Sequence, residues 1–286
     1  MRSFHLSSDA AAMGLPCGTL VGVKSCSRYA SGEPEGLRLS KRNKLRTRVG
    51  ELVPAYTETH RRKPKPSVEF YRSARIKAVA LEERQEIRTP LGAFPAERVT
   101  FFETGELRRF FPLDGKISGF WSEEEERALA VPLHFDLPVA RFDAIIGGAC
   151  FYRSGRVRSI TLFPGERIAV CTAQGEIAVR NGFSLHESGA LASLEPAEPT
   201  EIKTPIGRIV AFDPDAVGIN ADSNSLAFDV RGRVTALRTV QNRVAVRTPD
   251  GRRRVFSPQE VINPLDGETM IPSGLDIAFD YAANAV

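Results

Sequence analysis

The sequence contains few of the residues that build metal and catalytic sites. Among 286 residues there are four histidines and four cysteines. No two histidines stand at metal-ligand spacing, and the cysteine spacings fit no zinc pattern. Phosphate loops, dinucleotide-binding fingerprints and nucleophile elbows are also missing. We therefore predict no metal site, no cofactor and no catalytic residue. This favours a non-enzymatic protein, with an enzyme of unrecognised type as an alternative.

Long hydrophobic runs are missing as well. No segment approaches the roughly 20 apolar residues of a membrane-spanning helix. The weak apolar patch near the N-terminus is interrupted by Asp9, unlike a secretory signal. Four cysteines in a chain of this length do not make a disulfide scaffold. We expect reduced thiols in a cytoplasmic protein that begins at Met1 or Met13.

Glycine and proline, by contrast, are frequent and mark turns. The chain has 23 glycines and 19 prolines. Thr89-Pro90-Leu91-Gly92 suits a tight turn, because proline presets φ at the first central position. Phe102-Glu103-Thr104-Gly105 suits a three-residue hairpin loop that glycine closes with a positive φ. The short alternating segments between such turns predict an antiparallel meander.

The second turn recurs when its closing residue is used as an anchor. The anchors are Gly32, Ala74, Gly105, Gly155, Gly189 and Gly232. Five units are apolar four residues before the anchor, five are apolar two residues after it, and all six are apolar five residues after it. Because the last two positions are three apart, each strand needs a bulge or a change of face. At Ala74 we expect an altered turn, since alanine resists positive φ.

The Thr-x-x-Gly turn also recurs, beginning at Thr47, Thr89, Thr172, Thr204 and Thr248. One full unit then consists of strand, Thr-x-x-Gly turn, strand, three-residue hairpin loop and strand. Successive anchors are on average 40 residues apart. Ser122 and Glu125 form a capping-box pattern, which predicts a helix of about two turns near 122–130.

These patterns predict an all-β fold. We expect an elongated, curved and solenoid-like antiparallel β-meander built from repeated hairpins, with one short helix near 122–130. A six-bladed β-propeller is the alternative, because a four-stranded blade has a similar length. Residues 1–19 are predicted to be a disordered or weakly ordered extension, residues 20–257 the hairpin domain, and residues 258–286 a connection and final strand.

Positive charge is concentrated in the N-terminal third. Residues 1–88 contain 18 Lys and Arg but nine Asp and Glu, whereas the whole chain has a net charge of +4. A basic surface of this kind can bind anionic lipid or nucleic acid, although a solvated face is the simpler interpretation. The candidate residues are Arg42, Lys44, Arg46, Arg48, Arg61, Arg62 and Lys63.

Two further segments contain candidate binding residues. The loop 213–225 is rich in Asp, Asn and Ser, which is typical of structural turns and also of loops that bind a partner. Its candidates are Asp213, Asp215, Asn220, Asp222 and Asn224. Their spacing does not match an EF-hand, so no metal is predicted. Phe120 and Trp121 are core residues or, alternatively, an exposed aromatic pair that anchors a partner.

The segment Gly115-Lys116-x-x-Gly119-x-Trp121 and the aromatic-x-x-Gly-x-apolar hairpins resemble MORN-type repeats, especially divergent bacterial ones. The resemblance spans about residues 29–237. Repeats of that family are a little over twenty residues long, so one 40-residue unit would be two of them. The family's second glycine, four after the first, is clear only at Gly115 and Gly119. The resemblance implies an elongated antiparallel sheet that binds proteins or lipids and has no catalytic residues.

Together these observations predict a non-catalytic repeat scaffold that mediates protein–protein interactions. The alternative is a protein that binds an anionic surface, of lipid or nucleic acid, through its basic N-terminal third. A third possibility, an enzyme of unrecognised type, would centre on the loop 213–225.

Overall fold

A computed structural model of the chain describes residues 3–5, 12–62, 64–115, 122–216, 224–247, 251–263 and 266–281. These residues form 27 strands and one helix. The elements up to the helix are β1 (Ser3–His5), β2 (Met13–Leu15), β3 (Gly18–Leu20), β4 (Val23–Arg28), β5 (Pro34–Leu39), β6 (Leu45–Thr47), β7 (Gly50–Leu52), β8 (Val68–Phe70), β9 (Ile76–Thr89), β10 (Gly92–Phe101), β11 (Leu107–Phe111) and α1 (Glu123–Leu129). The remaining strands are β12 (Leu133–Leu137), β13 (Ala140–Ala144), β14 (Ile146–Phe151), β15 (Val157–Leu162), β16 (Ile168–Thr172), β17 (Gly175–Leu185), β18 (Leu191–Pro196), β19 (Thr200–Thr204), β20 (Gly207–Ala211), β21 (Leu226–Phe228), β22 (Val234–Thr239), β23 (Val244–Arg247), β24 (Arg253–Phe256), β25 (Gln259–Ile262), β26 (Met270–Ser273) and β27 (Leu275–Ala278).

The chain divides into two compact units. Unit 1 comprises Met1–Leu133 and Ile145–Arg158, and unit 2 comprises His134–Ala144 and Ser159–Val286. In unit 1 the sheet order is β1-β4-β5-β8-β9-β10-β11-β14. In unit 2 it is β15-β17-β18-β21-β22-β27, and β16 pairs with β17. Strands joined by hairpins pair antiparallel with their neighbours in the chain, which explains this sequential order.

The prediction of an all-β, antiparallel, hairpin-rich fold is therefore confirmed. The sheet is not closed into a barrel. The propeller alternative requires separate four-stranded blades. Within each unit, consecutive three-residue hairpins instead share one sheet, so the strand order favours the meander.

All six anchored hairpins have the same turn geometry. In each, the anchor N–H donates to the carbonyl of the residue three positions earlier, at 2.8–2.9 Å. The five glycine anchors have φ between +78° and +102°. Ala74 adopts φ +58° and keeps both hydrogen bonds of the turn, so the altered turn expected there is not found. The alanine instead accepts a left-handed conformation that costs about 1 kcal/mol.

The predicted bulge is present three residues after the anchor. Phe101 pairs with Leu107 and Thr100 pairs with Arg109, so Arg108 is the extra residue of its strand. Equivalent register shifts occur in the hairpins β4–β5, β8–β9, β17–β18 and β21–β22. The extra residue returns Leu107 and Phe110 to one face, where both are buried.

The Thr-x-x-Gly turns close a second set of hairpins, which we call ribbons. The threonine hydroxyl donates to the glycine carbonyl at Thr47, Thr89, Thr172 and Thr204, at 2.7–2.9 Å. The turn predicted at Thr248 falls partly outside the described residues. Ribbons with these turns are β6–β7, β19–β20 and the distal parts of β9–β10 and β16–β17.

Each of these ribbons buries an apolar cross-strand pair next to its turn. Leu45 faces Leu52, for example, and Ile202 faces Ile209. All four of these side chains are buried. In the β9–β10 ribbon the ring of Phe94 stacks on that of Phe110 in the sheet, with 5.4 Å between centroids. The ribbons therefore pack on the sheet, and the core lies between the two layers.

Aromatic side chains three residues before the anchors connect consecutive hairpins. The Tyr29 hydroxyl donates to the Phe70 carbonyl at 2.7 Å, and the Tyr71 hydroxyl donates to the Phe101 carbonyl at 2.8 Å. The His186 ring Nε2 lies 2.9 Å from the Phe228 carbonyl in unit 2. This recurring bond explains why tyrosine or histidine stands at this position in four of the six hairpins and gives His186 a structural role.

The predicted short helix is also found. Ser122 caps α1, and the reciprocal capping box with Glu125 is complete. The run of glutamates from Glu123 is not uniformly solvated, because Glu126 is buried.

Several hairpins occur where the sequence predicted none. β12 and β13 form a ribbon around Pro138-Val139, a turn with neither glycine nor threonine. β25 and β26 pair within the predicted C-terminal connection. The predicted N-terminal extension contains β1, which pairs with β4, and most of the β2–β3 ribbon.

Candidate binding cavities and an exposed apolar surface

Unit 1 contains a cavity of about 680 Å³, which we call the Arg38 cavity. Five Lys and Arg side chains and three Asp and Glu side chains line it, together with His60. Its apolar wall is formed by Leu39, Ala55, Pro64 and Ala80. A cavity of this volume, with an apolar wall and a few convergent polar groups, is typical of small-molecule sites.

The loop that contains Tyr56 and Thr57 lines this cavity and is held in place by Glu82. Its carboxylate accepts hydrogen bonds from the Tyr56 N–H at 2.7 Å, the Thr57 N–H at 3.1 Å and the Thr57 hydroxyl at 2.5 Å. Burial acts to raise the pKa of Glu82, but these hydrogen bonds outweigh it and lower the pKa overall. The ionised carboxylate therefore fixes the loop.

A buried ionic cluster lies beside the cavity. Glu97 is 4% exposed and sits at the bulge between Ala96 and Arg98. Its carboxylate is hydrogen-bonded by Arg61 and by the Asp114 N–H at 2.9 Å, with Arg62 3.4 Å away. Arg61 also bonds both carboxylate oxygens of Glu126 on α1, at 3.0 and 3.1 Å.

The predicted basic patch is thus divided between two environments. Arg61 and Arg62 are largely buried in the ionic cluster. On the β6–β7 ribbon, Lys44 pairs with Glu51 at 2.6 Å and Arg48 pairs with Glu106 at 2.8 Å. Arg42 and Arg46 are exposed, and no described residue bonds to their side chains. Lys63 lies outside the described residues.

Unit 2 contains a cavity of about 310 Å³ that Asp213, Asn224, Arg238 and Asp276 help to line. Arg238 donates to Asp213 at 2.9 Å and to both oxygens of Asp276 at 2.7 and 2.9 Å. These bonds raise the pKa of Arg238. All three nitrogens of the Arg238 guanidinium are therefore already bonded to carboxylates of the protein.

The other residues predicted in the loop 213–225 have separate positions. The Asp215 N–H donates to the Asp213 carboxylate at 3.0 Å, which is a local turn contact. Asn220 and Asp222 lie outside the described residues, as do Phe120 and Trp121.

A buried carboxylate next to the unit 2 cavity was not predicted from the sequence. Glu195 is fully buried, and its oxygens accept from the Ser225 N–H at 2.7 Å and the Ser225 hydroxyl at 3.0 Å. Burial raises the pKa of Glu195. In the sequence, Glu195 is marked only as a charged residue directly after Leu194, the apolar position five residues beyond the anchor Gly189.

The described residues contain no group of three or more His, Cys, Asp and Glu that could hold a metal ion. Ser225 donates to Glu195 and is 4% exposed, so its hydroxyl is not presented to a substrate.

Unit 2 also exposes apolar side chains on its last two ribbons, β23–β24 and β25–β26. We call these the C-terminal ribbons. Their exposed apolar residues are Val255, Phe256, Val261, Ile262 and Met270. Ile262 and Met270 are cross-strand neighbours. In β23–β24 the pair nearest the turn is Arg247 and Arg253, and the next pair is Val246 and Arg254. Neither is the pair of two buried apolar residues that β6–β7 and β19–β20 have close to their turns.

No described helix has the length and apolar character needed to cross a membrane. Comparison of the chain with protein-family models, with curated proteins and with solved structures gave no match.

Proposed function

We propose that the protein is a non-catalytic hairpin scaffold that associates with other protein chains, as the resemblance to MORN-type repeats also suggests. The observation that carries this proposal is the exposure of five large apolar side chains between residues 255 and 270. Large apolar side chains that cluster at a surface mark protein interaction sites more often than scattered ones do.

The contrast with the other ribbons supports this interpretation. Ile202 and Ile209 of β19–β20 are 1% and 4% exposed, whereas Phe256 and Ile262 are 46% and 61% exposed. Among the described residues, β27 follows these ribbons in the chain, and it pairs with β22 rather than with them. Their exposed apolar side chains are therefore available for a partner chain to bury.

A second copy of the chain is the partner that fits this surface. Arg253 and Arg254 project from β24, whereas Glu260 and Glu268 belong to the β25–β26 ribbon. In a two-fold arrangement each copy can place its basic ribbon against the acidic ribbon of the other, because an isologous contact pairs unlike positions reciprocally. The apolar residues between them would be buried.

Sedimentation equilibrium of the full chain tests the proposal. We expect a concentration-dependent dimer, and we expect Ile262→Asp to weaken it about 10-fold or more, since burying a large apolar side chain contributes about 1.5–3 kcal/mol. Val230→Asp is the matched control, because Val230 is 60% exposed but lies in the Asp229–Gly232 turn outside the C-terminal ribbons.

A strictly monomeric protein at 100-micromolar concentrations, or equal weakening by the control, would refute self-association through these ribbons. Binding of a different protein that Ile262→Asp abolishes would retain the scaffold but replace the second copy as partner.

A further inference from the structure

Three charged residues occupy the same position of their hairpins, six residues after the anchor: Arg38, Glu195 and Arg238. Two of them are satisfied by the protein itself. Glu195 accepts two hydrogen bonds from Ser225, and Arg238 is held by Asp213 and Asp276. Arg38 and Arg238 each line a cavity, and Glu195 bonds to Ser225, which lines the unit 2 cavity, so this hairpin position lies at or next to a cavity in all three cases.

Arg38 differs from both. It lines the Arg38 cavity and is partly exposed, yet no described residue forms a hydrogen bond or ion pair with its guanidinium. The nearest acidic candidates are already engaged. Glu58 pairs with Lys24 at 2.6 Å, and Asp114 pairs with Lys65 at 2.7 Å. Lys24 lowers the pKa of the Glu58 carboxyl most, and the charge of Arg38 adds to that effect without forming an ion pair. Arg38 therefore lies near a carboxylate, but no carboxylate of the described residues is bonded to it.

The basic side chains next to Arg38 also favour an anionic ligand. Lys24 and Lys65 line the cavity beside Arg38, and the lining has two more basic than acidic side chains. The Lys24–Glu58 pair is well exposed, so it exchanges readily with a ligand. The Tyr56 ring and the apolar wall can receive the uncharged part of such a ligand.

We propose that the Arg38 cavity binds a small molecule that carries a carboxylate or a phosphate, with the oxyanion on the Arg38 guanidinium. A guanidinium binds either anion with two parallel hydrogen bonds. At Arg238 the same fork geometry is filled by Asp276. The ligand oxyanion binds the Arg38 guanidinium in the same way as the Asp276 carboxylate binds that of Arg238. This site is independent of the C-terminal ribbons and of the association proposed above.

Isothermal titration of the full chain with ribose 5-phosphate and with benzoate tests the proposal, and ribose serves as the neutral control. We expect saturable binding of at least one anion and none of ribose. Arg38→Gln should weaken binding about 10-fold or more, because a charge-assisted bidentate contact is lost. Arg38→Lys, which keeps the charge but not the fork, should fall between the two.

Arg46→Gln is the matched control variant, since Arg46 is an exposed arginine on β6 outside the cavity. It removes the same charge and should leave affinity unchanged. Arg38 makes no side-chain bond that the fold needs, so its variants should keep the wild-type circular dichroism spectrum. Binding of ribose 5-phosphate alone assigns a phosphate site, and binding of benzoate alone assigns a carboxylate site. Failure of both anions to bind at 10 millimolar, or equal weakening by Arg46→Gln, overturns the proposal.

Discussion

Replacing Glu97 with glutamine should destabilise unit 1 strongly. Glu97 is 4% exposed, and its carboxylate accepts a hydrogen bond from Arg61 and forms ion pairs with Arg62 at 3.4 Å and Arg84 at 3.6 Å. Glutamine preserves the shape and can still accept from the Asp114 N–H. It removes the negative charge, however, and leaves arginines whose side chains are mostly buried without that compensation.

Breaking a buried ion pair by removing one partner costs about 3–5 kcal/mol, and we expect about 3 kcal/mol because glutamine retains part of the hydrogen bonding. With an m-value of about 2 kcal/mol/M, the urea midpoint should fall by about 1.5 M. Urea unfolding followed by circular dichroism in the β-sheet region measures this change.

Glu51→Gln is the control for the loss of one carboxylate. Glu51 pairs with Lys44 on the surface, where both side chains are about half exposed. An exposed pair of this kind contributes little to stability, because solvent screens the two charges. If Glu97→Gln lowered the free energy of unfolding no more than Glu51→Gln, the inference that the buried cluster holds the Arg61 segment against α1 would be wrong.

Two further outcomes follow from single positions. Ala74→Gly should raise the free energy of unfolding by about 0.5 kcal/mol, because glycine removes the strain of φ +58° at some entropic cost. Gly105→Ala, at φ +93°, should lower the free energy of unfolding by about 1 kcal/mol. A loss of stability in Ala74→Gly would contradict this reasoning. At Glu195, the raised pKa means that the folded state holds the proton more tightly than the unfolded chain. The contribution of Glu195 to the free energy of unfolding should therefore fall as pH rises from its pKa in the unfolded chain, about 4.3, through its higher pKa in the folded state. Above the folded-state pKa this contribution should remain constant. Glu195→Gln should gain stability relative to the wild type between pH 4 and pH 7 in urea unfolding. An opposite slope would show that the Ser225 hydrogen bonds and the Arg180 guanidinium, 3.8 Å from the Glu195 carboxylate, outweigh burial.

The elements that the sequence predicted correctly are those whose structure depends on neighbouring residues. The anchor glycines take positive φ, and the bulge follows from two apolar positions three apart. The α1 capping box closes within four residues. The β12–β13 ribbon was missed for the complementary reason, since Pro138-Val139 has no glycine or threonine to mark its turn. The apolar pair Phe135 and Phe142, buried and stacked at 5.2 Å, is what defines that ribbon.

The candidate sites were less predictable because they depend on residues far apart in the chain. Arg61 and Arg62 belong to a basic run, which indicated a solvated or anion-binding surface. Their burial depends on Glu97, 36 residues after Arg61, and on Glu126, 65 residues after it. Asp213 was correctly placed in a polar loop, but its partner Arg238 could not be identified from spacing.

Most of the turns, and with them the antiparallel hairpin sheet, could be read from local sequence, because turn geometry depends on the φ preferences and hydrogen bonds of four or five adjacent residues. The pairing of charges could not, because it depends on contacts between distant parts of the chain. Arg38 and Arg238 follow their anchors by the same six residues, yet one lacks a bonded partner among the described residues and the other is held by two carboxylates. That difference arises from strands and loops brought together across the sheet, and no local pattern encodes it.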